Sequence, residues 1–254
     1  QPKPPPHSDG WAPAKHREPE ALERIIDKVS SELLAMPQAD PDRAEQLQRE
    51  KEAAERTERW RTFADPLGPR YAGCRLSNFA IAKSHEKVQQ SVIDEIREYA
   101  EDLPERLTGG QSVLLFGPSG TGKDHLLTAL ARVAIMRHGI SVCWVNGVDF
   151  YRRIRDRLDS REAEQELVEQ FSWPSVLYFS DPLPPSGDLT PFQSATLFSV
   201  IDRRYRDKKP TWVSLNVADA AEAEKRLGPS IVDRLRDGTL ALRCNWPSYR
   251  RAAI

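Results

Sequence analysis

The sequence predicts an α/β domain with a five-stranded parallel sheet and helices on both of its faces. From residue 81 onwards, short apolar runs alternate with helical patterns five times, and this alternation builds a parallel sheet with crossover helices. The first run leads into a glycine-rich turn, which marks the edge where a parallel sheet binds its ligand. Strands are expected at 112–116, 141–146, 175–180, 211–216 and 239–244, and helices at 86–103, 123–138, 148–158, 161–171, 190–207, 219–227 and 230–237.

The glycine-rich turn has the pattern of a phosphate-binding loop, in which two glycines five positions apart are followed by lysine. A buried strand precedes it and a helix follows it, which is the context that the pattern requires. Backbone N–H groups of such a loop and the helix N-terminus bind phosphates, while the lysine reaches the outer phosphates. We therefore expect a P-loop nucleoside triphosphate site formed by Gly117, Pro118, Ser119, Gly120, Thr121, Gly122 and Lys123.

The loop departs from the pattern at Asp124, where Ser or Thr normally contacts magnesium. A second strand ends in Ser180-Asp181-Pro182, at the place where a metal-binding acid is expected. One register puts Ser180 in the acid position and Asp181 beside the attacking water; the other makes Asp181 the metal-side acid. In the first register Asp124 and Ser180 have exchanged roles, which leaves one carboxylate and one hydroxyl beside Mg²⁺. The alternative is that both are losses and that turnover is weak.

Two further residues are candidates for catalysis. Asn216 ends the fourth predicted strand, where its amide can reach the γ-phosphate or the attacking water. Arg234 lies on a short helix and can stabilise transition-state charge at the γ-phosphate of a neighbouring subunit. Each also has an ordinary interpretation, as a surface-turn amide and as an ion-paired arginine.

Any contact with nucleic acid must come from a local patch. The 254 residues include 37 basic and 38 acidic side chains, so the formal net charge is only −1. Basic groups that follow Phe150-Tyr151 suit a single-stranded DNA track, although a charged solvent face is an equally simple interpretation. The candidates are Arg152, Arg153, Arg155 and Arg157.

The N-terminal third differs in composition from the rest. Residues 1–17 are proline-rich and predicted to be disordered, 18–62 to be helical, 63–80 to be a linker and 81–254 to be the nucleotide-binding domain. The helix at 18–36 has an apolar side that suits a partner groove or its own core. Three widely separated cysteines fit a reducing cytoplasm, and no apolar run or export signal points to a membrane.

Several segments resemble one known family. The loop Gly120–Leu126 is similar to that of DnaC-type helicase loaders and IstB-type transposition ATPases, and Asp202–Tyr205, Val232–Gly238 and Asn245–Arg250 resemble the same group. The resemblance covers roughly residues 75–252. It implies an AAA+ ATPase with a RecA-like core, without a C-terminal lid domain, that binds ATP and Mg²⁺. It implies that the loop as far as His125 binds nucleotide.

The resemblance also implies roles and partners. Asn216 would be the sensor and Arg234 the finger through which the protein self-associates. The protein would bind the replicative helicase hexamer through residues 18–36, hold single-stranded DNA and deliver the helicase during replication initiation. The alternatives are a transposition helper ATPase that remodels duplex DNA and a nucleotide-switched adaptor. Asp124, Ser180 and Pro182 depart from the family pattern and put the hydrolysis rate in doubt.

Overall fold

A computed structural model describes residues 24–31, 41–156, 161–184 and 188–251. The chain divides into two compact units, Gln1–Glu58 and Arg59–Ile254. In the first unit, residues 24–31 are helical, with Val29 buried and Ile25 exposed. The segment predicted to be disordered, 1–17, and most of the predicted helix 18–36 lie outside the described residues.

The second unit contains the predicted parallel sheet. Its strands are β1 (Val113–Phe116), β2 (Val142–Asn146), β3 (Val176–Ser180), β4 (Thr211–Leu215) and β5 (Leu240–Arg243). The order across the sheet is β2-β3-β4-β1-β5, and every pairing is parallel. All five carboxyl ends therefore meet at one edge, where the glycine-rich loop follows β1.

Ten α-helices have full bounds within the described residues. They are α1 (Pro41–Ala64), α2 (Pro69–Ala72), α3 (Glu86–Glu101), α4 (Leu103–Thr108), α5 (Lys123–His138), α6 (Gly147–Arg155), α7 (Arg161–Ser172), α8 (Pro191–Arg206), α9 (Ala220–Leu227) and α10 (Pro229–Arg236). The predicted helix 86–103 ends at Glu101, and Pro104 lies in the first turn of the separate helix α4.

Two hydrophobic cores cover the two faces of the sheet. Alternate residues of a strand point to opposite faces, so Leu115 of β1 packs with α3 and α5, whereas Leu114 packs with the helices from α6 to α10. This arrangement confirms the fold class predicted from the sequence. No helix in the described ranges is both long enough and apolar enough to span a membrane.

The segment predicted to be a linker, 63–80, contains both buried and exposed residues. Phe63 and Phe79 belong to the first core, and α2 lies between two single turns of 3-10 helix, Asp65–Leu67 and Leu76–Asn78. The prolines and glycines that suggested a linker lie in and beside these short turns. This segment reaches the glycine-rich loop, as described below.

Candidate functional site

The three glycines of the loop are required by the packing of the protein itself. Gly117, Gly120 and Gly122 have φ angles of 142°, 80° and 89°, which L side chains rarely adopt. A Cβ atom at Gly117 would overlap the carbonyl of Cys244, and one at Gly120 would overlap the Ser248 side chain. The loop is therefore formed against the segment that follows β5.

Two distant segments brace the loop from outside. The Trp246 indole Nε1 donates to the Thr121 carbonyl (2.8 Å), and the Tyr249 backbone N–H donates to the Gly120 carbonyl (2.9 Å). The Phe79 ring makes edge contacts with Trp246 and Tyr249, with ring centroids 6.3 and 5.8 Å apart. The cradle is thus fixed by residues on both sides of it in the sequence, which favours a preorganised binding loop.

Lys123 begins α5 and lies within the loop. Its side chain is buried, and its Nζ donates to the carbonyls of Gly117 (2.8 Å) and Pro118 (2.7 Å). Burial lowers the pKa of the ammonium, while Asp124 and Asp181 act in the opposite direction. A cation held this close to the loop backbone is suited to contact a phosphate that enters the cradle.

Asp124 faces three hydroxyl groups. Its Oδ1 accepts hydrogen bonds from Tyr178 (3.0 Å), Ser180 (2.8 Å) and Ser214 (2.7 Å). The sheet register pairs Ser180 with Ser214, so neighbouring strands deliver both donors to one point. The sequence reasoning paired Asp124 with Ser180, and the structure brings these two side chains together. It missed Ser214, because strand order was needed to find it, and it missed Tyr178, which lies two residues before Ser180 on the same face of β3.

Asp181 and Asn216 form a pair at the tips of β3 and β4. The Asn216 side-chain amide donates to Asp181 Oδ2, and its backbone N–H lies 3.4 Å from Oδ1. Asp181 has a positive φ of 45°, an uncommon conformation for a residue with a side chain. Burial raises the pKa of Asp181, and the hydrogen bonds from Asn216 oppose this shift. Two of the predicted catalytic side chains, Asp181 and Asn216, are therefore in direct contact.

A cavity of about 320 Å³ adjoins these groups. Its walls combine the loop, Lys123 and Asn216 of the candidate catalytic residues, and the predicted linker. The His125 Nε2 atom lies 3.0 Å from the Arg75 carbonyl and 3.1 Å from Asn78 Oδ1, which ties α5 to the linker. The lining residues are Arg70, Tyr71, Cys74, Asn78, Phe79, Ala80, Ser119, Gly120, Gly122, Lys123, Asp124, His125, Asn216, Tyr249 and Arg250.

Arg250 and the linker residues were not predicted as part of the site. Arg250 lies in the Asn-Trp-Pro-Ser-Tyr-Arg segment and brings a further positive charge to the cavity, which adds to burial in lowering the pKa of Lys123. Tyr249 positions that segment, because its hydroxyl donates to the Ala80 carbonyl and accepts from Gln89 (2.9 Å). Nothing in the local pattern of these residues indicated that they meet the loop.

Arg234 is engaged within its own chain. Its Nε atom lies 2.7 Å from Asp202 Oδ1, and its guanidinium lies 4.6 Å from the centroid of the Phe198 ring. About a quarter of its side chain, 26%, is exposed. It does not line the cavity beside Lys123.

The predicted single-strand track on α6 needs a correction. Arg152 and Arg155 are exposed and Arg153 is half-buried, whereas Arg157 lies outside the described residues. Phe150 is 0% and Tyr151 9% exposed, because both belong to the second core. The prediction that aromatic rings accompany these arginines was therefore wrong: neither ring is available to stack on a base.

The comparisons with known proteins agree with this geometry. The family model for the IstB-like ATP binding protein matches residues 103–253, which is more than half of the chain. A relative from Bacillus subtilis (strain 168), the uncharacterized protein YqaM, is 26% identical over 153 residues; the match covers 58% of this chain and 48% of YqaM. The chain thus spans about half the length of this curated relative.

Solved structures share the fold. The DnaC helicase loader gives a TM-score of 0.60 at 19% identity, covering 69% of this chain and 99% of that chain. The replication initiator DnaA bound to AMPPCP and single-stranded DNA gives 0.54 at 20% identity, covering 70% and 50%. These likenesses show that the chain shares the fold of these proteins, and the family match identifies ATP as the ligand class. The chain belongs to the family of IstB-like ATP binding proteins.

Proposed function

We propose that this protein is an ATP-dependent helicase loader that binds the replicative helicase and single-stranded DNA. The observation that carries the proposal is the braced cradle around Lys123, which opens beside the Asp181–Asn216 pair. A cradle of this kind binds a triphosphate, and the pair can report whether the γ-phosphate is present. The family match and the shared fold with the DnaC helicase loader support this function.

The cations, the loop and the residues at the strand tips have separate roles in the proposal. Lys123 and Arg250 neutralise phosphate charge, and the loop N–H groups bind the phosphate oxygens. Asp181 orients the attacking water, and Asn216 holds Asp181 in the orientation that this requires. Arg234 would leave its contact with Asp202 and stabilise charge at the γ-phosphate bound by a neighbouring subunit. ATP hydrolysis would therefore depend on self-association.

The residues also fit magnesium. No three His, Cys, Asp or Glu side chains in the described ranges form a cluster that would hold a metal by themselves. Mg²⁺ commonly combines one or two carboxylates with phosphate oxygens and water. We propose that Asp124 supplies the carboxylate and Ser180 the hydroxyl, in exchanged positions, with Asp181 nearby. When bound, the ion would neutralise charge on the phosphates.

Exchange of Asp124 and Ser180 predicts a rescue. Asp124→Thr should weaken magnesium-dependent ATP binding by about 10–100-fold, because only hydroxyls then remain at the two positions. Ser180→Asp should also be harmful, because it places two carboxylates where a 2.8 Å hydrogen bond now lies. The double variant restores one acid and one hydroxyl. We expect magnesium titrations of fluorescent nucleotide binding to show that it binds more tightly than either single variant.

Unchanged magnesium dependence in Asp124→Thr would contradict the exchange. So would a double variant no better than the worse single variant. Thermal unfolding without nucleotide identifies any variant that has lost its fold, and such a variant would not be used in the comparison.

The helicase contact predicts a second result. Ile25 lies on the helix at 24–31 and is 46% exposed, so its side chain is accessible to a partner protein. Ile25→Glu should abolish copurification of the full chain with the replicative helicase of the same cell, while ATP binding is unchanged. Asp27→Asn, at an exposed position of the same helix, is the matched control. If Ile25→Glu still captures the helicase, this helix is not the contact.

The family match also supports a transposition helper as a second candidate. Copurification of the full chain with a transposase, and not with the helicase, would favour it. A nucleotide-switched adaptor would bind Mg-ATP without turnover, so a phosphate-release assay with and without single-stranded DNA separates it from the loader.

A further inference from the structure

An exposed tryptophan lies between α7 and β3. Trp173 has 83% of its surface exposed, more than any other large apolar side chain in the described part of the chain. Isolated apolar residues on a surface are common, but an indole of this size usually buries most of its area. The loop that carries Trp173 precedes β3, so it lies at the amino edge of the sheet, opposite the ATP cradle.

The loop that presents Trp173 is held by two cations. Arg204 is fully buried, and its guanidinium donates to the carbonyls of Phe171 (3.1 Å), Ser172 (3.3 Å), Pro174 (3.0 Å) and Ser175 (3.4 Å). Lys209 Nζ donates to the carbonyls of Ser172 and Trp173, both at 3.0 Å. A rigid loop presents its side chain at a low entropic cost of binding.

Lysines lie beside the indole. Lys209 Nζ is 5.3 Å from the ring centroid, and the 83% exposure of Trp173 leaves most of the ring open. Lys208 is exposed beside Lys209. Glu169 is an acidic residue close to this loop. Arg203, which is 44% exposed, lies 3.5 Å from Glu169 and offsets its negative charge.

We propose that Trp173 is a stacking platform for an unpaired base of single-stranded nucleic acid, with Lys208 and Lys209 beside the phosphates. Aromatic side chains among basic groups bind single strands in this manner. A protein partner would instead require a contiguous apolar centre, whereas Trp173 is bordered by charged groups. The platform supplies the aromatic contact that α6 lacks, and it does not depend on bound ATP.

The test is the affinity of the full chain for a labelled oligothymidine of about 20 nucleotides, measured by fluorescence anisotropy at low salt. Trp173→Ala should weaken binding by about tenfold, which is within the range for one stacked base. Trp173→Phe should retain most of the affinity, and Trp173→Leu, which is apolar but has no aromatic face, should lose as much as the alanine variant.

An abasic oligonucleotide of the same length is the matched control. It keeps the phosphates, so the wild type and Trp173→Ala should bind it equally. Thermal unfolding and Mg-ATP affinity should be the same in all variants, because the loop lies away from the cradle. A failure to bind ATP would count against the proposed function and leave this inference intact.

Three outcomes would overturn the platform. The first is equal affinity of the wild type and Trp173→Ala for oligothymidine, and the second is no detectable oligonucleotide binding by the wild type. The third is full affinity in Trp173→Leu, which would assign Trp173 to an apolar contact, as in a protein interface.

Discussion

Replacing Lys123 with methionine is expected to lower the affinity for Mg-ATP by about one to two orders of magnitude, because a charged hydrogen bond contributes about 1.5–3 kcal/mol. The side chain begins the helix that follows the loop, and its ammonium lies within hydrogen-bonding distance of the loop carbonyls. Methionine keeps the length of the stem but removes the only group that can pair with a phosphate at this position.

The same substitution should have little effect on folding. The substitution deprives the Gly117 and Pro118 carbonyls of a donor, but it also removes a buried charge, whose burial lowers the pKa of Lys123. Because these effects oppose each other, we expect the unfolding temperature without nucleotide to change little, whereas Mg-ATP should stabilise the wild type much more than the variant. Lys225→Met, at an exposed position of α9, is the matched control. Equal stabilisation of Lys123→Met and wild type by Mg-ATP would show that Lys123 does not bind the phosphates.

Arg204→Met is expected to lower the free energy of unfolding by about 3–5 kcal/mol, because each buried acceptor that loses its donor costs about 1–3 kcal/mol. Besides the carbonyls of the Trp173 loop, the guanidinium donates to the Pro210 carbonyl (2.6 Å) and to Thr211 Oγ1 (3.0 Å). Burial lowers the pKa of Arg204 to about 10, which still leaves it charged at neutral pH. Methionine would leave these buried acceptors without a donor.

Chemical denaturation of Arg204→Met and Arg203→Met measures this effect directly. Arg203 is the adjacent arginine, but its ion pair with Glu169 is exposed, so its loss should cost less than about 1 kcal/mol. Similar stabilities for the two variants would mean that water replaces the guanidinium easily, and that Arg204 does not fix the loop.

The sequence predicted the parts of the site that lie in one segment or at a strand tip. The loop from Gly117 to Lys123 follows from its spacing, and Asp181 and Asn216 follow because the carboxyl ends of parallel strands meet at one edge. Ser214 could not be found in this way, since its approach to Asp124 depends on which strands are neighbours. Tyr178 was overlooked, although it lies two residues before Ser180 on the same face of β3.

The remaining differences have related causes. Phe150 and Tyr151 precede a basic run in the sequence, but the helix turns both rings into the core, so adjacency in sequence gave the wrong surface. Phe79 and Arg250 reach the cavity from segments far apart in the chain. Trp173 carries no local signal, because its exposure results from a loop fixed by a buried arginine elsewhere in the sequence.

The braced loop around Lys123 should bind a nucleoside triphosphate together with a divalent ion. Equilibrium titration of the full chain with a fluorescent ATP analogue, in magnesium and again in excess chelator, tests it most directly. We expect saturable binding of one nucleotide per chain that weakens strongly when the metal is removed. The absence of saturable binding by any adenine or guanine nucleotide in the presence of divalent ions would contradict it.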